Sequence, residues 1–592
     1  MNISQRVAGL RQWMQDRNIA AYVIPTADPH NDEYIPAHWM TREWITGFTG
    51  SAGLAVVTQE RAALWTDSRY WLQAENELTG SPYELMREGE TGVPDPYAWL
   101  QTVLCQSEAV QGSVCCPGDV LSAQMRAEAS QAGIDLQPGD DAFDSLWQER
   151  PALPQGNIEV QPLQYAGVAV ADKLDRVRRT LGDKLQGRTY VFNDLSDIAW
   201  LLNLRGEDIP YNPVFVSYLT YDAATDCFTL FTHTETLTPE ARRSLEESGV
   251  DCNAYENLEQ TLKGKAKAMD FASASCLLFN PETDIYIDTP VTLWRAVKNE
   301  AECAGFRTAM ERDGVAMVRF LHWLDEAMAK GMRVTEMSVD ERLTAYRKEQ
   351  PGFKDLSFAT IAGFADHGAI VHYEADEASD AELEPRSLLL LDSGAQYDCG
   401  TTDITRTIAL GRLTDEEKKV YTLVFKGHLA LARMQFPEGT TGIQLDTAAR
   451  ADMWAAGYDF GHGTGHGVGS HLCVHEGPNQ IRKNLRACTF NPYVAGMTVT
   501  DEPGIYVTGR FGVRVENTLL CVPGMTTDFG RFLRFESLTL CPYDLRPADF
   551  SLLNEVERRQ INTYHSHVRE RLLPLLEDES DRTWLVKATE AI

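Results

Sequence analysis

The stretch LLLLDSGAQYDCGTTDITRT, residues 388–407, reads as a buried strand, a glycine-bearing turn and a returning strand. Leu388–Leu391 is the unbroken apolar run expected of a strand covered on both faces, and Asp392 ends it. Asp403 comes back on the second arm. Two carboxylates set across a hairpin repel each other unless positive charge lies between them. A metal ion is one source of that charge. The alternative is a pair of turn aspartates capping the strand ends.

Downstream lies GHGTGHGVGSHLCVHEGP, residues 461–478. His462 and His466 have the i, i+4 spacing of a metal-binding helix, but Gly461, Gly463, Gly465, Gly467 and Gly469 argue against one. Each glycine costs a helix about 1 kcal/mol relative to alanine. An extended segment fits better; it would put His462, Thr464 and His466 on one face, with His471 and His475 beyond a turn. The glycines would let backbone approach a site closely. A glycine-rich surface loop is the plain alternative.

The third stretch is VTDEPGIYVTGRFGVRVENTLL, residues 499–520. Glu502 stands at a strand end before Pro-Gly, and Glu516 on the alternating strand that follows, giving a hairpin with one carboxylate on each arm. Surface glutamates on an exposed hairpin would read the same way.

Together Asp392, Asp403, His466, Glu502 and Glu516 form an oxygen-rich set that suits Mn²⁺ or Co²⁺ as well as Zn²⁺. Four carboxylates exceed the charge of one divalent ion, whereas two ions about 3.5–4 Å apart would balance them. Seven of the thirteen histidines fall between 367 and 475, which adds weight to a site there.

Outward from these motifs, helical spacing runs over 300–330, from Thr414 with Glu417 three residues on, over 444–456 up to Gly457, and over 552–575. The first half alternates strands and helices. A helix over 4–18 leads to strands at 20–24, 53–58 and 62–65 and a helix over 68–78. After a Pro/Gly-rich stretch near 137–164, a helix over 171–185 and strands at 189–192 and 214–219 repeat that order, as a diverged repeat would. The expected domains are 1–155, 156–294 and 295–592. Net charge is −32, which argues against a broad nucleic-acid or anionic-membrane surface. No apolar run reaches 18 residues, no signal-peptide core opens the chain, and twelve cysteines lack framework spacing, so a reduced, cytoplasmic protein is expected.

The motifs GAIVHY (368–373), 392–407, 461–478, TDEPGIY (500–506) and GVRVEN (512–517), in this order, resemble the Xaa-Pro aminopeptidases (aminopeptidase P) of the creatinase/prolidase superfamily. VIPTADPHNDEYIPAHWMTREWITGFTGSAGLAVVT, residues 23–58, resembles the first domain of their long, three-domain form. The resemblance implies two creatinase-like α/β domains followed by an α+β pita-bread catalytic domain. It implies two divalent metal ions per subunit, Mn²⁺ first and Co²⁺ or Zn²⁺ as alternatives. Asp392, Asp403, His466, Glu502 and Glu516 would be the ligands, with Asp403 and Glu516 bridging and Glu502 also the general base. His372, His462 and His475 match catalytic and substrate-contacting histidines, and Arg514 the arginine lining the proline side. Peptides with proline in second position would be the substrates, and a homodimer the assembly.

Rival readings remain on the same fold. A prolidase would need to cap the substrate's C-terminal carboxylate. A metal-free binding module or a creatinase-like amidinohydrolase would not need five ligand-capable positions. A methionine aminopeptidase would not need the long N-terminal half.

Overall fold

The computed structural model describes residues 1–106, 112–485 and 487–592. It divides into two compact units, one of residues 1–163 and 168–291, the other of 164–167 and 292–592.

The first unit holds two six-stranded sheets built on one plan. Strand order in the first is Glu84–Arg87, Ala62–Thr66, Leu54–Thr58, Ile19–Pro25, Ser113–Pro117, Leu136–Gly139. In the second it is Val250–Ala254, Cys227–Thr232, Ser217–Asp222, Thr189–Phe192, Lys267–Met269, Ile285–Tyr286. Successive pairs in both run parallel, antiparallel, antiparallel, parallel, parallel. The repeat suspected from the sequence is therefore present in the topology. Two elements shift. The strand expected at 214–219 is Ser217–Asp222, because the Val216 N–H goes to the Asp208 carboxylate rather than into the ladder. The helix expected over 68–78 is Trp71–Glu77, because Asp67 draws the Arg69 and Tyr70 N–H groups into a turn.

In the second unit α1 (Glu300–Ala329) opens with a capping box between Asn299 and Glu302, and its apolar side, including Phe306, Met310, Met317 and Phe320, is buried. α2 (Glu336–Lys348) follows. A three-stranded antiparallel sheet comes next, with β2 (Leu388–Ser393) between β1 (Ile361–Phe364) and β3 (Ile404–Ala409). α3 (Asp415–Ala432) has the expected Thr414–Glu417 capping box, and α4 (Gly442–Ala455) runs out at Gly457, whose φ is +83°.

The last part is a ribbon. β4 (Gly465–Gly467) pairs with β5 (Glu476–Ile481). β6 (Thr498–Asp501) pairs with β9 (Asn517–Thr527), while β7 (Gly504–Val507) pairs with β8 (Phe511–Arg514). β10 (Gly530–Ser537) lies beside β9. α5 (Glu555–Leu572) is capped by Asn554 and ends just before Pro574. A further helix, Glu579–Ala588, is an element the sequence reading did not separate. Among the described residues no helix is long and apolar enough to cross a membrane.

Candidate metal centre

Asp392 sits at the end of β2 opposite Thr405, and Asp403 stands one residue before β3, so the hairpin brings both carboxylates to one end of the sheet. Both are buried. Glu502 and Glu516 occupy the two breaks of the ribbon. Sequence alternation put Glu516 on a continuous strand; instead the strand is interrupted at Val515–Glu516. The Glu516 N–H leaves the ribbon ladder for the Thr405 carbonyl, at 3.1 Å. Opposite it, Pro503 has no N–H to give, and the Glu502 N–H goes to the Thr464 carbonyl at 2.8 Å. Both bonds tie the carboxylate-bearing breaks to neighbouring segments.

The glycines around His466 allow close approach, as expected. A Cβ on Gly465 would lie 1.9 Å from the Thr500 carbonyl oxygen, and one on Gly467 2.4 Å from that of Glu476. The imidazole is thereby delivered into the acidic cluster. His466 Nε2 is 3.5 Å from Asp403 Oδ2 and 3.5 Å from Glu502 Oε1. Asp403, His466 and Glu516 each offer a donor atom, all within 4.8 Å of one another.

This cluster is poorly balanced by protein alone. Burial raises the Asp403 carboxyl well above the usual range, and repulsion from Asp392 and Glu502 adds to it. Burial raises Glu516 likewise, with Asp403 and Asp392 contributing. Burial pushes Glu502 up to about 7. Asp392 Oδ1 and Glu516 Oε1 are buried and accept no hydrogen bond among the described residues. Buried carboxylate oxygens without donors are costly. Divalent cations held by these hard donors would supply the missing charge, so the residues fit a metal centre.

Part of the positive charge is built in, which the sequence reading did not foresee. Arg514 is buried, with Nη2 2.6 Å and Nε 3.1 Å from Asp392 Oδ2. Its Nη1 donates to the Tyr506 hydroxyl at 2.7 Å, and His462 Nε2 lies 2.8 Å from that same oxygen. Tyr506 thus links Arg514 to His462; its only signal in sequence was its place in TDEPGIY. The His475 ring packs edge-on to His466, centroids 4.4 Å apart. His372 is half-buried, next to Val371, whose carbonyl accepts from Arg514 Nη2 at 3.4 Å. Thr464, expected on the same face as His462 and His466, turns its hydroxyl to Asp446 at 2.6 Å. There Arg450, fully buried, joins Asp446 to the carbonyls of Phe460 and His462 and fixes the segment.

A family model described as Metallopeptidase family M24 matches residues 304–523, and one for the C-terminal region of peptidase_M24 matches 531–592. Creatinase/Prolidase N-terminal domain models match 6–146 and 149–302. Aminopeptidase P2 of Arabidopsis thaliana is 37% identical, covering 100% of this chain and 89% of its own length. Xaa-Pro aminopeptidase 1 of Dictyostelium discoideum is 36% identical over 98% of this chain and 96% of its own. The solved X-prolyl aminopeptidase of Caenorhabditis elegans, described as a cytosolic enzyme with a di-nuclear active site, superposes over 100% of both chains with a TM-score of 0.94 and 31% identity. The fold and site define a metallopeptidase with two creatinase-type N-terminal domains. Within that class, the chain belongs to the Xaa-Pro aminopeptidase (aminopeptidase P) family.

Proposed function

We propose that the chain removes the N-terminal residue of peptides whose second residue is proline, as a metalloaminopeptidase with two divalent ions per subunit. The carrying observation is the convergence of Asp403, His466 and Glu516, with Glu502 beside His466, in a fold shared over its full length with the Caenorhabditis elegans X-prolyl aminopeptidase. Asp392, Asp403, His466, Glu502 and Glu516 are the proposed ligands, and Mn²⁺ the proposed ion, with Co²⁺ and Zn²⁺ as alternatives. When bound, such ions would supply Lewis acidity to the scissile carbonyl and would lower the pKa of water.

The protein groups do the rest. An Xaa-Pro bond is a tertiary amide, so its nitrogen carries no hydrogen and must gain a proton to leave. The Glu502 carboxylate takes the proton from the attacking water and passes it toward that nitrogen. His475 or His372 donates to the developing oxyanion. The acidic cluster meets the free amine of the substrate, which restricts cleavage to the first bond. His462, His475 and Arg514 border the proline, Arg514 acting through Tyr506. We further propose a cytoplasmic homodimer.

The test is hydrolysis of an Arg-Pro-Pro tripeptide by metal-stripped protein given Mn²⁺, Co²⁺ or Zn²⁺, with an Xaa-Pro dipeptide and an Xaa-Ala tripeptide alongside. Metal-dependent cleavage of the proline tripeptide alone is expected. Preferred cleavage of the dipeptide would make the chain a prolidase, and inertness with every ion would leave a binding module.

A further inference from the structure

Behind the acidic cluster runs a fully buried line of polar side chains that the proposed chemistry does not use. It begins at Arg406 on β3, whose Nη1 donates to the Glu516 carbonyl at 2.6 Å and whose Nη2 donates to Asn517 Oδ1 at 2.9 Å. Asn517 Nδ2 lies 2.9 Å from the Tyr543 hydroxyl. That hydroxyl is 2.8 Å from Nε2 of His428 on α3. His428 Nδ1 is 3.1 Å from the Asp501 carbonyl oxygen and 3.2 Å from Asp501 Oδ2. Asp501 and Asn517 face each other across β6 and β9.

The direction of every bond is set by chemistry. An arginine only donates, so Asn517 Oδ1 accepts and its Nδ2 faces Tyr543 as a donor. The Tyr543 oxygen therefore accepts from Asn517 and gives its own proton to His428 Nε2. A carbonyl only accepts, so His428 Nδ1 carries the hydrogen. With the hydrogen on Nδ1 and Nε2 accepting, both ends are satisfied, and the chain runs one way from Arg406 to Asp501. Its ends adjoin the centre: Glu502 follows Asp501, Glu516 precedes Asn517, and Arg406 follows Thr405, whose hydroxyl holds Glu516 Oε2 at 2.8 Å.

We infer that His428 and Tyr543 are positioning residues that hold the two ribbon breaks, and so Glu502 and Glu516, at a fixed separation through this one-way chain. The inference rests on reading the acidic cluster as a metal centre. Neither residue touches the five proposed ligand side chains; His428 acts through the Asp501 backbone carbonyl, and Tyr543 through the Asn517 side chain and His428 itself. A chain that only stabilised the fold would lower the melting temperature and leave ion affinity alone. A chain that sets carboxylate separation governs how well a second ion is held. Partners of this kind, when removed, typically cost about 10–100-fold in metal affinity or activity.

The experiment uses the full chain, stripped of metal and titrated calorimetrically with Mn²⁺, with thermal melting and kcat and KM on Arg-Pro-Pro measured in parallel. Wild type should bind two Mn²⁺. Tyr543→Phe keeps the ring volume and deletes one link; the weaker Mn²⁺ site should loosen about 10–100-fold and kcat fall in step, with KM little changed. His428→Leu should do the same. His428→Asn, whose amide N–H can replace the Nδ1 donor, should recover part of the affinity. Should His428→Leu fail to fold, Tyr543→Phe alone decides. Folded variants with wild-type Mn²⁺ affinities overturn the inference, whatever their melting temperatures. A wild-type chain that binds no Mn²⁺ overturns the metal-centre reading itself, and the inference with it.

Discussion

Arg514 Nη2 lies 2.6 Å from Asp392 Oδ2, so one acidic side chain of the cluster meets a guanidinium before any cation arrives. The same guanidinium reaches Tyr506 and, through it, His462. A lysine offers a compact point charge without that planar fork and cannot reproduce its geometry toward Asp392 and Tyr506. Arg514→Lys is therefore expected to lower kcat/KM for a proline tripeptide about 10–100-fold while keeping the fold. Arg514→Met strands a buried carboxylate and should cost the metal-free protein about 3–5 kcal/mol in urea unfolding.

Metal removal should reveal the repulsion within the cluster as a pH effect. A carboxyl whose folded pKa is raised binds its proton more tightly in the native than in the unfolded chain. Native stability therefore falls as pH rises from the unfolded value through the folded one. For Glu502 that window runs from 4.5 to about 7, and Asp403 and Glu516 act in the same direction. Melting curves should show the benefit of added Mn²⁺ growing across this window. A benefit that shrinks with rising pH would contradict the assignment of these carboxylates.

The parts of this molecule that repeat or carry charge at a turn were legible in sequence; the parts set by long-range pairing were not. Leu388–Leu391, the Thr414 capping box and the stop at Gly457 are local, and they stand where periodicity and capping put them. The glycines about His466 announced close approach without saying to what, since Thr500 lies more than thirty residues on. Alternation in GVRVEN hid the interruption at Glu516, because a residue that gives its N–H to Thr405 looks like any strand residue. Arg514 on Asp392, and His428 between Asp501 and Tyr543, join segments distant in sequence, and nothing in their neighbours marks them.

Gly465→Ala tests the close approach directly. The added methyl would meet the Thr500 carbonyl at 1.9 Å, and backbone cannot move aside as the end of a flexible side chain can. β4 must lift from β6, taking His466 from Asp403 and Glu502. Overpacking of this kind costs about 1–3 kcal/mol. The expected signature is lost Mn²⁺ affinity out of proportion to the fall in melting temperature. Gly509→Ala, at a turn where a Cβ meets nothing within 4 Å but φ is +69°, should cost stability and spare metal binding.

Glu336 offers the opposite control, a buried carboxylate outside the acidic cluster that shapes the segment bearing His372. It accepts from the Phe364 N–H at 2.7 Å, the Ala381 N–H at 3.0 Å, the Tyr373 hydroxyl at 2.8 Å and His367 Nδ1 at 2.9 Å. The hydrogen bond to Glu336 raises the His367 pKa above 6.5. Stability from this pair is fully present below 6.5 and is lost as pH rises through the raised value. In Glu336→Gln one oxygen becomes a donor facing donors, at about 1–3 kcal/mol for each group left unpaired. The variant should lose the pH-dependent stability of the pair and, with the His372 segment loosened, show a lower kcat. Its Mn²⁺ affinities should stay those of wild type. If Glu336→Gln instead loses metal, residues 365–381 belong to the scaffold of the ions and not to that of the substrate.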